Sequence, residues 1–346
     1  MDFMIKADIG KLPQPIQYGD KILLIGSCFT EHIGNSLAGM KFNVLQNPNG
    51  ILFDPSSVCR SLISYIRPRK YGKEDLFCLH EVWHSWDHHS RFSRTDPDEA
   101  LAAMNASQDS AHRFLQQAGW LIITLGSSFS YRLTGNAPQA CGGHPTHFFE
   151  EKEMRAVANC HRAPAQWFQK HMLAIDETVS LLDNLYHQLR AFNPRARIIF
   201  TVSPVRHLRD GIVENNRSKA RLIEAVHHMV EKFEGLYYFP AYELVIDVLR
   251  DYRFYDIDLA HPNYTATSFV LEKFTTACID SASQEIMDEV KKVMTARKHK
   301  PFHAATGSHR QFLDTHARKA RELMDRYPFL DLKNELDYFE SSGKNL

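Results

Sequence analysis

The chain has 346 residues, 41 of them Lys or Arg and 41 Asp or Glu, so its formal charge at neutral pH is zero. Such a length is ample for one large α/β domain or two modest ones with a sizeable core. Balanced charge excludes the basic stripe of a nucleic-acid binder and the polybasic run that holds a protein on anionic lipid, which leaves a neutral small molecule as the expected partner.

No stretch reaches the length of a membrane span and residues 1–20 lack the apolar core of a signal peptide, so a cytoplasmic protein is expected, with no membrane partner. Six cysteines, at 28, 59, 78, 141, 160 and 278, show no Cys-x-x-Cys spacing. They read as reduced, mostly buried thiols.

In chain order, Lys21-Ile22-Leu23-Leu24-Ile25 is a short apolar run ended by Gly26, the pattern of a strand buried on both faces of a parallel sheet. Ser27 follows it and precedes a helix-like run from Glu31 to Met40. The stretch from about 56 to 118 opens with a helix near Ser57 to Tyr65 but breaks the alternation, and is expected to be an insertion over the active-site edge. Within it, His80-Glu81-Val82-Trp83-His84 matches the H-E-x-x-H string of zinc proteases, which requires both histidines one turn apart on a helix. The alternation of Phe77, Leu79, Glu81 and Trp83 with Cys78, His80, Val82 and His84 predicts a strand instead, with His80, Val82 and His84 on one face.

Trp120 to Leu125 and Ile198 to Val202 are further buried-strand runs. Between them, apolar residues at 168, 172, 175, 179, 182, 185 and 189 predict a helix from Trp167 to Phe192. Ser218 is the expected N-cap of another helix, carrying Leu222, Val226, Met229 and Phe233. After Ala282 the texture turns charge-rich, with helices expected at 283–298 and 309–326 and a polar end. Residues 1–282 therefore read as one domain and 283–346 as a helical extension. The alternation predicts a doubly wound α/β sheet with helices on both faces, whose ligands collect at the carboxyl ends of the strands, where Ser27, Ser127 and Ser203 stand.

Two segments carry chemistry. A serine between a strand and a helix sits where free backbone N–H groups favour negative charge, although most serines there are simple N-caps. Far along the chain stands Asp258-Leu259-Ala260-His261, with Pro262 keeping a helix from running through it. Serine is a weak nucleophile that must hand its proton to an imidazole, and a carboxylate fixes the tautomer of that imidazole. Asp256 is a rival for the carboxylate, and Cys28 offers a thiol in place of the hydroxyl; spacing decides neither.

The segment Ile25-Gly26-Ser27-Cys28-Phe29-Thr30 resembles the signature of the GSCFA family, itself similar to the SGNH (GDSL-like) hydrolases. Further matches are Asn47-Pro48-Asn49-Gly50-Ile51, Thr124-Leu125-Gly126-Ser127-Ser128, Asn159-Cys160-His161-Arg162, Ser203-Pro204-Val205-Arg206-His207 and Asp256 to Asn263, together spanning roughly positions 20 to 265. The resemblance implies an SGNH-like sheet and a serine esterase in which Ser27 attacks, His261 is the base and Asp258 orients it. It implies amides of Ser27 and Gly50 as oxyanion donors, and substrate contacts from His161, Arg206 and His207.

One departure is plain. Gly126-Ser127-Ser128 stands where SGNH enzymes have Gly-x-Asn, so the third donor is open between the Ser128 hydroxyl and Asn159. No cofactor is implied. The substrate suggested by the relatives is a small-molecule ester, such as an acetyl group on a sugar. An acyltransferase with the same triad, a metal-dependent hydrolase on the His-rich segment, and a non-catalytic binding protein are the alternatives.

Overall fold

A computed structural model describes residues 5–134, 136–137, 156–303 and 305–344; Cys141 lies outside them. In chain order, β1 (Lys21–Gly26) leads to α1 (Cys28–Gly39), β2 (Asn43–Gln46) and α2 (Pro55–Ile66), then to β3 (Phe77–Leu79), β4 (Val82–His84) and α3 (Pro97–Gln117). Next come β5 (Trp120–Leu125), β6 (Phe129–Leu133), β7 (Phe168–Met172), α4 (Ile175–Phe192), β8 (Arg197–Val202), α5 (Ile212–Lys232) and β9 (Leu236–Tyr238). A short turn, α6 (Ala241–Glu243), runs into a π-helical stretch, Leu244–Leu249. The remainder is helical: α7 (Tyr264–Cys278), α8 (Ser281–Lys298), α9 (Gly307–Arg326) and α10 (Lys333–Lys344).

Five strands form one parallel sheet in the order β2-β1-β5-β8-β9. Alternate side chains along each strand enter different cores, as the period of two requires. Ile22, Leu24, Trp120, Ile122 and Ile199 pack with Phe29, Ile33 and Leu37 of α1 and Val270 and Phe274 of α7. Leu23, Ile25, Leu121, Ile123, Ile198 and Phe200 pack with Leu62 of α2, Leu115 of α3, Leu182 and Leu185 of α4, and Leu222 and Val226 of α5. Both faces are covered, which is why the strands read as unbroken apolar runs. The doubly wound α/β sheet expected from the sequence is the observed fold.

Because the chain leaves β2 for β5 across β1, the strand order reverses between β1 and β5. The crevice at their carboxyl ends is the switch point where such sheets take ligands. Ser27 follows β1 there, and Gly126 follows β5.

Several local expectations are corrected. Helices α2 and α3 of the supposed insertion pack on the sheet as the β2-to-β5 crossover, so only the β3–β4 excursion between them stands apart. His80 and Glu81 are that hairpin's two-residue turn, with φ of 50° and 63°, so the H-E-x-x-H string is neither a helix nor one continuous strand. Phe168 and Met172, read as a helix stripe, lie on β7, paired antiparallel with β6; the helix period starts only at Ile175. Ser218 lies inside α5 rather than at its start, because the helix begins at Ile212 after Gly211, whose φ is 88°. The polar end of the chain holds a third helix, α10, whose Phe339 is buried in the same core as α8 and α9.

Among the described residues no helix is long and apolar enough to cross a membrane.

Candidate active site

The turn after β1 is set by Gly26. Its φ is 142°, and a Cβ built there would lie 2.0 Å from the Thr124 carbonyl oxygen of β5, so only glycine fits. Its N–H donates to Asn47 Oδ1 at 2.8 Å, which ties the loop after β2 to the same corner. Ser27 then takes the N-cap position of α1 without performing the capping bond. The residue is 1% exposed and its Oγ has no hydrogen-bond partner among the described residues. A buried hydroxyl left unpaired is uncommon and calls for an explanation.

The Asp258 and His261 side chains do meet. His261 Nδ1 lies 2.6 Å from Asp258 Oδ2, while Asp258 Oδ1 accepts the N–H groups of Ala260 at 2.9 Å and His261 at 3.0 Å. Those two backbone donors, with the imidazole, hold the Asp258 carboxyl down to about 2. The carboxylate is therefore charged throughout the neutral range and loses its charge only as the pH falls toward that value. Leu259, at φ 55°, makes the tight turn that lets one carboxylate reach both amides. Asp256, the rival, uses its N–H on the His261 carbonyl at 2.8 Å, and no contact joins its carboxylate to the ring among the bonds described.

This loop is fastened to the sheet edge through the segment after β8, where the Arg206 N–H donates to the Ala260 carbonyl at 3.0 Å. His261 and Ser27 share no hydrogen bond, and the imidazole is half exposed where the hydroxyl is buried.

Gly50, at φ 89°, donates its N–H to the Asn47 carbonyl at 2.8 Å, and a Cβ there would lie 2.1 Å from His89 Cβ. Ser128 is fully buried, and both its N–H and its hydroxyl donate to Ser218 Oγ, at 2.7 and 3.1 Å. The Ser27 N–H makes a long bond of 3.2 Å to Thr124 O. Asn159 Oδ1 accepts the His161 N–H at 2.7 Å.

His161 is buried against Phe77, Trp86 and His84, its Nε2 2.9 Å from the Ser85 carbonyl oxygen, and burial pulls its imidazole down to about 4. The Arg206 guanidinium lies 4.6 Å from the Tyr255 ring centre, and the His207 N–H is held by Asn215 Oδ1 at 2.8 Å. Burial raises the Cys28 thiol, which argues against a resting thiolate nucleophile.

Sequence reasoning missed the bracing roles of Asn47 and Asn49, and missed Lys219 altogether. Asn49 Oδ1 accepts from Tyr65 Oη at 3.0 Å and its N–H donates back at 3.1 Å, a brace that fixes the Asn47–Gly50 turn on α2. Lys219, 2% exposed, donates from Nζ to the carbonyl oxygens of Gly126 and Ser203, each at 2.6 Å. A signal for it existed. The stripe Leu222, Val226, Met229, stepped back three residues, lands on Lys219.

The model of the GSCFA family matches residues 21–274, and that of the GSCFA domain protein, C-terminal domain, matches residues 290–344. A similar solved structure is a carbohydrate esterase family 3 from Talaromyces cellulolyticus, 9% identical, with 79% of this chain and 99% of that one covered at a TM-score of 0.34. No curated protein matches the chain.

Proposed function

We propose that this chain, which belongs to the GSCFA family, is a serine esterase that cleaves a small-molecule carboxylic ester through an acyl-enzyme. The observation that carries this reading is the Ser27 hydroxyl: buried at the switch point of the sheet, at the mouth of a helix N-terminus, and bonded to nothing among the described residues. The bonded Asp258–His261 pair on the neighbouring loop supports it, because a serine nucleophile needs that kind of base.

In this mechanism Ser27 Oγ attacks the ester carbonyl carbon as its proton passes to His261 Nε2. The carbonyl π electrons move to oxygen, and the anion is met by the positive end of α1 and by the Ser27 amide, which must leave its long bond to the Thr124 carbonyl. Collapse expels the alcohol, which takes the proton back from His261. Water then repeats the sequence on the acyl-Ser27 ester and releases the acid. Asp258 holds Nδ1–H so that Nε2 is the basic nitrogen. The Gly50 amide joins the oxyanion donors only by leaving the Asn47 carbonyl, and Ser128 only by leaving Ser218. Arg206 and His207, on the segment after β8 that holds the His261 loop, would contact the substrate, and His161 would do so only by leaving its seat against Phe77, Trp86 and His84. If an alcohol acceptor replaces water in the second half, the same groups transfer the acyl group.

Kinetics of the single and double variants test the reading. Ser27→Ala and His261→Ala should each abolish turnover of a short acyl ester, and the double variant should lose about as much as either alone, since the pair acts as one unit. Additive losses, or turnover retained in Ser27→Ala, would contradict it.

A further inference from the structure

Lys219 is a buried group at this edge that the esterase mechanism leaves unused. It projects from the buried face of α5, between the ends of β5 and β8, and joins the Gly126 and Ser203 carbonyls just beyond those strands. Among the described residues no carboxylate pairs with it. Placing an ammonium in protein without a counter-ion is costly, and two main-chain carbonyls recover only part of its hydration.

Its surroundings locate it relative to the reaction. The Gly126 carbonyl it binds belongs to the residue packed on Ser27: a Cβ added at Gly126 would lie 3.2 Å from Ser27 Cβ. The titratable groups facing it are Cys28 from α1, His207 from the loop after β8, and Tyr242 from α6, whose ring centre is 5.9 Å from Nζ. Burial disfavours the charged form of each, raising Cys28 and Tyr242 and lowering His207, so none supplies an anion at neutral pH. When protonated, Lys219 thus has no anion beside it among the described residues, next to the Gly126 that packs on Ser27.

Carboxyl ends of parallel strands present carbonyl oxygens, whose partial negative charge opposes an anion forming above them. We propose that Lys219 is a positioning residue that ties the Gly126 and Ser203 carbonyls away from the site and keeps the field at Ser27 positive for the oxyanion. This rests on the esterase reading, although its electrostatic part does not. Burial pulls the Lys219 ammonium down to about 7, so the field weakens as the pH rises through that region.

The test pairs Lys219→Met with Lys219→Arg, which keeps a charge at every working pH. In the wild type, kcat for a short acyl ester should fall on the alkaline side of about 7. Lys219→Met should lower kcat roughly tenfold with KM little changed and remove that alkaline fall. Lys219→Arg should restore activity at high pH. Alkylation of Cys28 by iodoacetamide, read by peptide mass spectrometry, reports the field without any turnover. It should slow by about threefold or more near neutral pH in Lys219→Met, because the thiolate loses its cation.

Should Lys219→Met fail to fold, the wild-type alkaline limb and the Nζ titration followed by NMR of 13C-labelled lysine must still coincide. An alkaline limb that does not follow the Nζ titration, or Cys28 alkylation unchanged in a folded Lys219→Met, would overturn the proposal. So would a rate that climbs with pH through the Lys219 titration and vanishes in Lys219→Met, which would make Lys219 the base. An absent esterase activity with slowed Cys28 alkylation would overturn the catalytic reading and leave the field.

Discussion

Gly26 shows how much of the site rests on a single missing atom. With φ at 142° and the Thr124 carbonyl oxygen 2.0 Å from where a Cβ would stand, Gly26→Ala must push β1 away from β5 or twist the turn that carries Ser27. The expected loss is about 2 kcal/mol or more of stability, from backbone strain and disturbed strand pairing. Thermal unfolding measures it, and a transition unchanged from wild type would contradict this account of the turn. Ser27 and the Asp258-x-x-His261 string were legible as candidates because the chemistry restricts residue types, but only the GSCFA resemblance favoured catalysis over an N-cap serine and Asp258 over Asp256. Sequence resemblance singled out Gly50 and Ser128 as donors, but their present bonds to Asn47 and Ser218 depend on long-range packing that spacing does not encode. Lys219 was hidden for a related reason: a lysine on an amphipathic helix is ordinarily on the solvated face, and only the phase of the stripe marks it as buried.

Among the elements, the β3–β4 hairpin illustrates why a string can match a motif without its chemistry. His80 and Glu81 both take positive φ, as the central residues of a type I′ turn must, and Cys78 pairs with Trp83 and Leu79 with Val82 across it. Strand alternation was correctly sensed, but its break at residues 80 and 81 was not, since neither is a glycine or an asparagine. The double substitution His80→Asn with Glu81→Gly supplies the Asn-Gly pair that this turn prefers. It should stabilise the protein by roughly 0.5–1 kcal/mol and leave esterase kinetics within about tenfold of wild type. A fall in the melting temperature would contradict the turn assignment, and loss of turnover would place the segment in the chemistry. The helix boundaries at α4 and α5 were misread for a simpler reason: Phe168 and Met172 fit the helix period by coincidence, while their partners on β6, Leu133 and Phe129, lie far back along the chain.

Across the whole molecule, the doubly wound sheet was legible because buried parallel strands leave unbroken apolar runs separated by helix-period segments. What the runs could not reveal was strand order, and hence that Ser27 and Gly126 share the switch point, since that order follows from crossovers on opposite faces. The C-terminal helices read from sequence as an appendage, yet Val290, Leu313, Leu323 and Phe339 pack into the core on the α1 side of the sheet. Their polar outer faces masked that stripe. Lys41 reaches Glu335 at 2.8 Å and the Tyr18 N–H donates to Ser283 Oγ at 2.8 Å, so the N-terminal and C-terminal parts of the chain are joined on that side.

The central claim, that Ser27 is the nucleophile of an esterase, is tested most directly by incubating the intact protein with a fluorophosphonate probe and mapping the adduct by peptide mass spectrometry. The account predicts one labelled residue, Ser27, with labelling lost in His261→Ala and retained after chelator treatment. A protein that stays unlabelled under conditions where known serine hydrolases react, or an adduct on any other residue, would contradict it.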